Sequence, residues 1–377
     1  MSPKASSRHQ KSRSPKRLLV AAWGPCAVRA AVVEVTDAEV FFAALASSDR
    51  VDPAEALEEA TAKLSAQTRM PRDGVLVIAH APLTPVELPV SPDRPLDDAE
   101  MTDLARWQIL SRAEEWSVTV PIGAILRSRS GLTAQDSMRI ATSDHARGKR
   151  FGEVAVAAGA VREEQVETAL AVQQATELSP GEHPVIGLLP LREDPGESAG
   201  QHAWLTAALD RTMRDRWVSV FARQGVRLKN IYPSVGLGPQ AYTQLPNDQA
   251  TAAAAMRLRP HALQVTMVSE GRMDQATDLP LSDGQVTLEA CLQTVWPAQI
   301  DDLYLTDDPG LQQVADDLAE RLGAKLHWIQ PQQVGEQTLP AAWHYDMTAA
   351  ARHAAGQVPT GTALAVTPKE PRPPIRK

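Results

Sequence analysis

The chain has 377 residues, 43% of them hydrophobic, enough to bury substantial cores in two or more domains or lobes. Its net charge of −8, from 38 basic and 46 acidic side chains, argues against a dedicated nucleic-acid binder, and two cysteines, Cys26 and Cys291, are too few for a disulfide framework or a metal cluster and fit a reducing cytoplasm. The most apolar run, residues 18–35, is interrupted by Pro25 and Arg29 and falls short of a membrane span, and the basic, serine-rich start lacks the apolar segment of a secretory signal.

Residues 1–17 carry Lys4, Arg8, Lys11, Arg13, Lys16 and Arg17 with no acid, which predicts a disordered basic tail. Such a tail either solubilises the chain or contacts an anionic membrane surface or an acidic partner. Three short strands follow at 18–22, 30–35 and 40–44, then a helix over 53–68 and a strand at 75–79. A proline-broken strand at 86–90 leads into a helix over 96–110. Asp97, Asp98 and Glu100 sit in its first turn, where the helix dipole favours carboxylates, and Met101, Leu104 and Trp107 or Gln108 form a stripe that could pack on a sheet. A helical hairpin is predicted over 150–173, a strand at 202–208 and a helix over 210–224 that stops at Gly225. Later signals are a strand at 263–268 with Gly271 in its hairpin and a strand at 302–306. A helix over 311–322 should place Leu311, Val314, Leu318 and Leu322 on one face, with Gly323 at its end. The proline-rich stretch 358–377 reads as an extended tail.

The strand Leu76-Val77-Ile78-Ala79, the Val86 to Val90 strand, and the acid-started helix with its Ala105-Arg106-Trp107-Gln108 run resemble the first lobe of PilM-type actin-like proteins of type IV pilus assembly. The same fold forms the cytoplasmic part of type II secretion GspL proteins. The turn and strand from Gly225 to Pro233 are similar to those that close that lobe. The resemblance implies an α/β, two-lobed actin-like (RNase H-like) ATPase fold with a small helical insert. The implied boundaries are a basic tail at 1–17, lobe I at 18–128 and 185–235, a linker plus insert at 129–184, lobe II at 236–355 and a proline-rich tail at 356–377.

Actin-like ATPases place an Asp-x-Gly in the first hairpin of each lobe, where the aspartate orients metal and water and the glycine admits phosphate to the backbone. In this chain the first motif aligns with Ala22-Trp23-Gly24 and the second with Arg257-Leu258-Arg259. The adenosine loop, where the family has paired glycines, aligns with Asp307-Asp308-Pro309. A carboxylate-free hairpin bearing arginines cannot hold Mg²⁺ in the usual way, so the expectation is a pseudo-ATPase with no ATP cofactor and no enzymatic activity.

Residues 150–173 resemble one repeat of the MshEN domain of secretion and pilus ATPases, with Arg150, Gly152, Gly159 and Gln173 at the matching positions. Tandem repeats of that kind bind cyclic di-GMP, and the resemblance maps ligand contacts onto those four residues. Only one repeat is present, and Ala155 replaces a larger apolar residue. A contact with the assembly ATPase is the alternative use of this segment.

Other enzyme signatures are absent: no H-E-x-x-H, Walker loop or nucleophile elbow occurs. Gly236-Leu237-Gly238 is followed by Pro239, which spoils a phosphate-binding helix start. The acid pairs Asp301-Asp302 and Asp316-Asp317 read as solvated surface, and His80 has no visible partner as a base. The resulting expectation is a catalytically inert cytoplasmic scaffold of a pilus or secretion machine, bound to a bitopic inner-membrane partner through a short peptide and to the assembly ATPase. The rivals are an active actin-like ATP-binding protein and a cyclic di-GMP receptor of the same machine.

Overall fold

The computed structural model describes residues 15–89, 96–143, 148–191, 201–243, 252–281, 285–295, 299–358 and 360–368. Strands β1 (Lys16–Trp23), β2 (Val28–Val35) and β3 (Val40–Ser48) form an antiparallel meander. Helix α1 (Pro53–Gln67), capped by Asp52, then carries the chain across to β4 (Asp73–Ile78), parallel to β1. A long excursion follows. It comprises β5 (Thr84–Pro89), α2 (Asp98–Ser111), α3 (Ile122–Ser130), α4 (Ala134–Thr142), α5 (Phe151–Ala157), α6 (Glu163–Ala175), β6 (Pro184–Pro190) and β7 (Gln201–Asp210). Helix α7 (Arg211–Arg223) and strand β8 (Arg227–Pro233) then complete a five-stranded sheet of order β3-β2-β1-β4-β8.

After the short helix α8 (Pro239–Thr243) the plan repeats. Strands β9 (Ala253–Leu258), β10 (Ala262–Ser269) and β11 (Arg272–Pro280) are antiparallel. Helix α9 (Leu288–Val295), strand β12 (Asp302–Thr306), helices α10 (Pro309–Gln312) and α11 (Ala315–Leu322), and strand β13 (Lys325–Ile329) follow, and both added strands run parallel to β9. The order β11-β10-β9-β12-β13 copies the first sheet. Three antiparallel strands extended by two parallel ones, the latter requiring helical crossovers, make up the RNase H-like plan, and its duplication is the two-lobed actin-like fold. A small hairpin, β14 (Gln332–Val334) and β15 (Gln337–Leu339), leads into the last helix, α12 (Ala341–Ala355).

Strand β1 is buried on both faces, as its unbroken apolar run requires. Leu19, Ala21 and Trp23 face one core with α1 and α7, while Leu18, Val20 and Ala22 face another that also holds α12 and residues of lobe II such as Ala253, Tyr304 and Ile329. Helix α12 can lie between the sheets because Ala349, Ala350 and Ala351 are fully buried and let both approach closely.

The excursion in lobe I has two parts. Strands β5, β7 and β6 form a small antiparallel sheet covered by α2. Helices α3 to α6 pack around their own core of Ile125, Leu126, Ile140, Val154 and Val172, and an antiparallel bridge between Val118 and Leu178 closes its neck. The helical unit therefore begins earlier than the expected residue 129, because α3 belongs to it.

Several expectations change. Helix α2 starts with the expected acids, Asp97 forming a capping box with Glu100, but it buries Ala105 and Ile109 and leaves Trp107 71% exposed. The stripe is rotated because α2 rests on the small sheet, where Gln108 donates to the Glu87 carbonyl at 2.8 Å. The helix expected over 311–322 is split into α10 and α11. Lys16 and Arg17 belong to β1, and the rest of the basic tail, residues 1–14, lies outside the described residues.

The expected proline-rich tail is structured over 360–368. The Leu364 and Val366 amides donate to Gly236 and Ile231 carbonyls at 2.9 and 2.8 Å, and both side chains are fully buried, because alternate apolar residues here complete the core beside β8. Leu364→Ala is expected to cost about 2–5 kcal/mol. A urea unfolding curve coincident with that of the unmodified chain would return this segment to the status of a tail.

Candidate functional site

The two aligned hairpin motifs fall at equivalent places. Ala22 and Trp23 end β1 and Gly24 begins the turn, while Arg257 and Leu258 end β9 and Arg259 begins the turn. The turns face one another across the cleft between the lobes. Both line a cavity of about 540 Å³, through Pro25 and Cys26 on one side and Arg259 and His261 on the other.

At the base of this cleft lies a buried ion network. Asp346 of α12 is fully buried between Arg257, at 3.4 Å, and Arg259, in closer contact. The Ser234 hydroxyl donates to Asp346 at 2.7 Å. Arg257 also donates to the Leu237 carbonyl at 3.1 Å and to Thr266 at 2.9 Å, and stacks on Tyr345. Gln264 carries the network into lobe I by donating to the Ala79 carbonyl at 2.8 Å. Burial, then Arg257 and Arg29, pushes the Arg259 pKa well below its ordinary value, and the Asp278 carboxylate opposes them.

Trp343, one turn before Asp346 on α12, lies between the two hairpins. Its ring has the Arg259 guanidinium 4.3 Å from the centroid and that of Arg29 at 4.8 Å. A Cβ on Gly24 would stand 2.5 Å from the ring, so the glycine of the first motif admits an indole edge. Asp307 and Asp308 are engaged locally: Asp308 caps α10 by accepting from the Gly310 amide at 3.0 Å, and Asp307 accepts from Gln312. Among the described residues no group of three or more His, Cys, Asp or Glu side chains could hold a metal ion.

The helical unit forms the outer wall of the cavity through Ser128, Arg129 and Ser130 at the end of α3, Arg162 at the N-cap of α6, and Thr168 and Ala169 within it. His80, just beyond β4, fixes the unit's neck. Its Nε2 lies 3.0 Å from the Thr176 carbonyl and must donate to it, and the buried ring is held neutral, its pKa pushed down to about 4, chiefly by burial. His261 packs edge-on to it with centroids 6.4 Å apart and is lowered to about 3, also chiefly by burial. A base with so low a pKa, sealed from solvent and bonded to a carbonyl, has the attributes of a packing residue.

The four residues matched to the dinucleotide repeat lie elsewhere. Arg150 is the exposed N-cap residue of α5. Gly152 faces Val166 so closely that a Cβ would stand 2.6 Å from it, Gly159 follows α5 with φ +67°, and Gln173 donates to the Val120 carbonyl at 2.7 Å. Gly152, Gly159 and Gln173 thus each have a part in folding the helical unit, and none of the four lines the cavity. Sequence reasoning singled out Arg257 and Arg259 but missed Trp343 and Asp346. The available signal was one acid in the alanine-rich, buried α12.

No protein-family model matches the chain, and no curated protein matches its sequence. Solved structures similar to it include the PilM-PilN type IV pilus biogenesis complex, at 14% identity over 91% of this chain and 99% of that one, with a TM-score of 0.48. Another is a Bacteroides thetaiotaomicron protein of unknown function with an actin-like ATPase fold, at 10% identity over 83% and 91%, with a TM-score of 0.39. A third is the cytoplasmic domain of EpsL, an inner-membrane component of the Vibrio cholerae type II secretion system, at 11% identity over 90% and 95%, with a TM-score of 0.36. These scores are low, and the fold assignment rests on the strand order and register above.

Asp346→Ala would leave two guanidiniums buried without their counter-charge and is expected to cost about 3–5 kcal/mol. Urea titration at neutral pH reads this, and a loss no larger than that of an exposed aspartate would show the network to be unimportant.

The histidines give a pH dependence. Their folded pKa values of about 4 and 3 lie below the ordinary 6.5, so the unfolded chain binds more protons and stability falls as pH drops from about 6.5 towards 4. Buried Asp278, raised to about 6, opposes this over part of the range. The net loss between pH 7 and 4.5 is expected to be roughly 3 kcal/mol, and His261→Gln should shrink it. Equal urea midpoints at the two pH values would contradict the assignment.

Proposed function

We infer that this chain is a catalytically inert actin-like scaffold of a type IV pilus or type II secretion assembly platform. The observation that carries inertness is the content of the cleft. Where an ATPase of this fold presents carboxylates for metal and water and an open glycine for phosphate, this chain has Ala22, Arg257 and Arg259, and Trp343 lies against Gly24. The setting rests on the fold together with the resemblance of residues 76–110 and 225–233 to the PilM and GspL type. A cytoplasmic scaffold of this kind, peripheral to the inner membrane, would hold a short peptide of a bitopic membrane protein and contact the assembly ATPase. No helix among the described residues is long and apolar enough to cross a membrane. In this reading membrane attachment comes through the partner.

ATP with Mg²⁺ is expected to show neither micromolar binding by calorimetry nor phosphate release above background. Turnover, or metal-dependent micromolar affinity, would replace the scaffold reading with an active ATPase. Affinity purification from membrane extracts should recover a single-span inner-membrane protein, and recovery of soluble metabolic enzymes alone would overturn the setting. A cyclic di-GMP titration tests the ligand implied for Arg150, Gly152, Gly159 and Gln173.

A further inference from the structure

The cavity between the lobes is walled by more positive than negative charge. Four guanidiniums line it, those of Arg29, Arg129, Arg162 and Arg259, against the carboxylates of Asp49 and Glu164. Two of the four have no anionic partner among the described residues. The Arg29 guanidinium on β2 lies over the Trp343 face, and the exposed Arg162 at the start of α6 uses its backbone amide, which donates to Gln165 at 2.8 Å, while its side chain has no ion pair among the described residues. Deeper in, Arg259 is only 3% exposed and keeps Nε and Nη1 without hydrogen-bond partners, and His261, 6% exposed, has neither ring nitrogen partnered. Buried donors in this condition cost stability unless something supplies acceptors.

We propose that this cavity binds a multivalent phosphate-type anion without a metal ion. The inference rests on the reading of the cleft as a site that holds no magnesium. A carboxylate offers acceptors in one plane, whereas these donors converge from a strand of lobe I, a turn of lobe II and the helical unit, which suits linked tetrahedral groups with acceptors in several directions. A volume of about 540 Å³ accommodates a pyrophosphate or tripolyphosphate with water. Because Arg29, Arg162 and Arg259 stand on three different parts of the fold, the anion would clip both lobes to the helical unit, and its occupancy would control how firmly that unit is held.

The test is calorimetry on the full chain in EDTA with phosphate, pyrophosphate and tripolyphosphate, with citrate as the carboxylate control. Affinity should rise with phosphate number, fall with added salt, and drop about tenfold or more in Arg162→Gln and in Arg29→Gln. Arg162→Gln keeps the backbone bond to Gln165, and an unchanged melting temperature without ligand confirms that it folds. ATP that binds like tripolyphosphate identifies the phosphate chain as what is read, and ATP that binds more tightly identifies a nucleotide as its source. Absence of binding by all three anions, equal binding of citrate, or binding unaffected by Arg162→Gln overturns the inference while leaving the scaffold reading standing. Binding that appears only with Mg²⁺ overturns both.

Discussion

Everything near the cleft depends on one carboxylate serving two guanidiniums. Asp346 is fully buried, and removing it would leave two guanidiniums without their counter-charge in a low-dielectric interior. A buried group of this kind contributes less to net stability than to the uniqueness of the arrangement. It fixes the rotation of α12, because only one face of the helix can meet both arginines. With that rotation set, Trp343 is delivered between the hairpins, Tyr345 donates to the Leu237 carbonyl at 3.0 Å, and His353 meets the Tyr232 hydroxyl of β8 at 3.0 Å. One helix therefore ties lobe II, the connection after β8 and lobe I together.

The helical unit answers a constraint set by the same cleft. An insertion joined through a two-strand neck at Val118 and Leu178 would swing on that neck unless something else held it. Arg127 donates to the Pro260 carbonyl at 2.9 Å and Arg129 to the carbonyls of Cys26 and Asp49, so α3 is pinned to the turns of both lobes. His80 holds the neck from below. The unit thus closes the cleft mouth by its attachments, and the cavity is what remains between its inner wall and the arginine-bearing turns.

Much of the fold was legible because the strands carry their own signals. The runs ending at Trp23 and Ile78, and the Asp302 to Thr306 strand, are apolar on both faces or bounded by turn residues, and the structure places their ends within two residues of expectation. Helix faces were less legible. Met101, Leu104 and Trp107 satisfy the helical period, but periodicity does not say whether a neighbouring sheet is wide or narrow, and β5-β7-β6 is narrow enough to leave Trp107 outside. The proline-rich ending misled for a related reason. Leu364 and Val366 alternate too briefly to announce a strand, and they are ordered only because β8 offers an open edge. In the site, Arg257 and Arg259 stood out as charges in an apolar strand, whereas Trp343 and Asp346 needed tertiary placement to acquire meaning.

Actin-like ATPases work by coupling nucleotide to the angle between their lobes, and the packing here opposes such a hinge. The core containing Val20 and Val77 of lobe I runs without a break into Ala255, Tyr304 and Ile329 of lobe II through α12. The core on the other face of the first sheet likewise takes in Val268 and Met273 of lobe II. Opening the cleft would expose apolar surface on both sides of β1, separate the Trp343 ring from one of its two arginines and break the Gln264 bond to Ala79. A cleft held shut in this way presents a constant outer surface, and a constant surface is what the scaffold role we propose would require of a part that positions others.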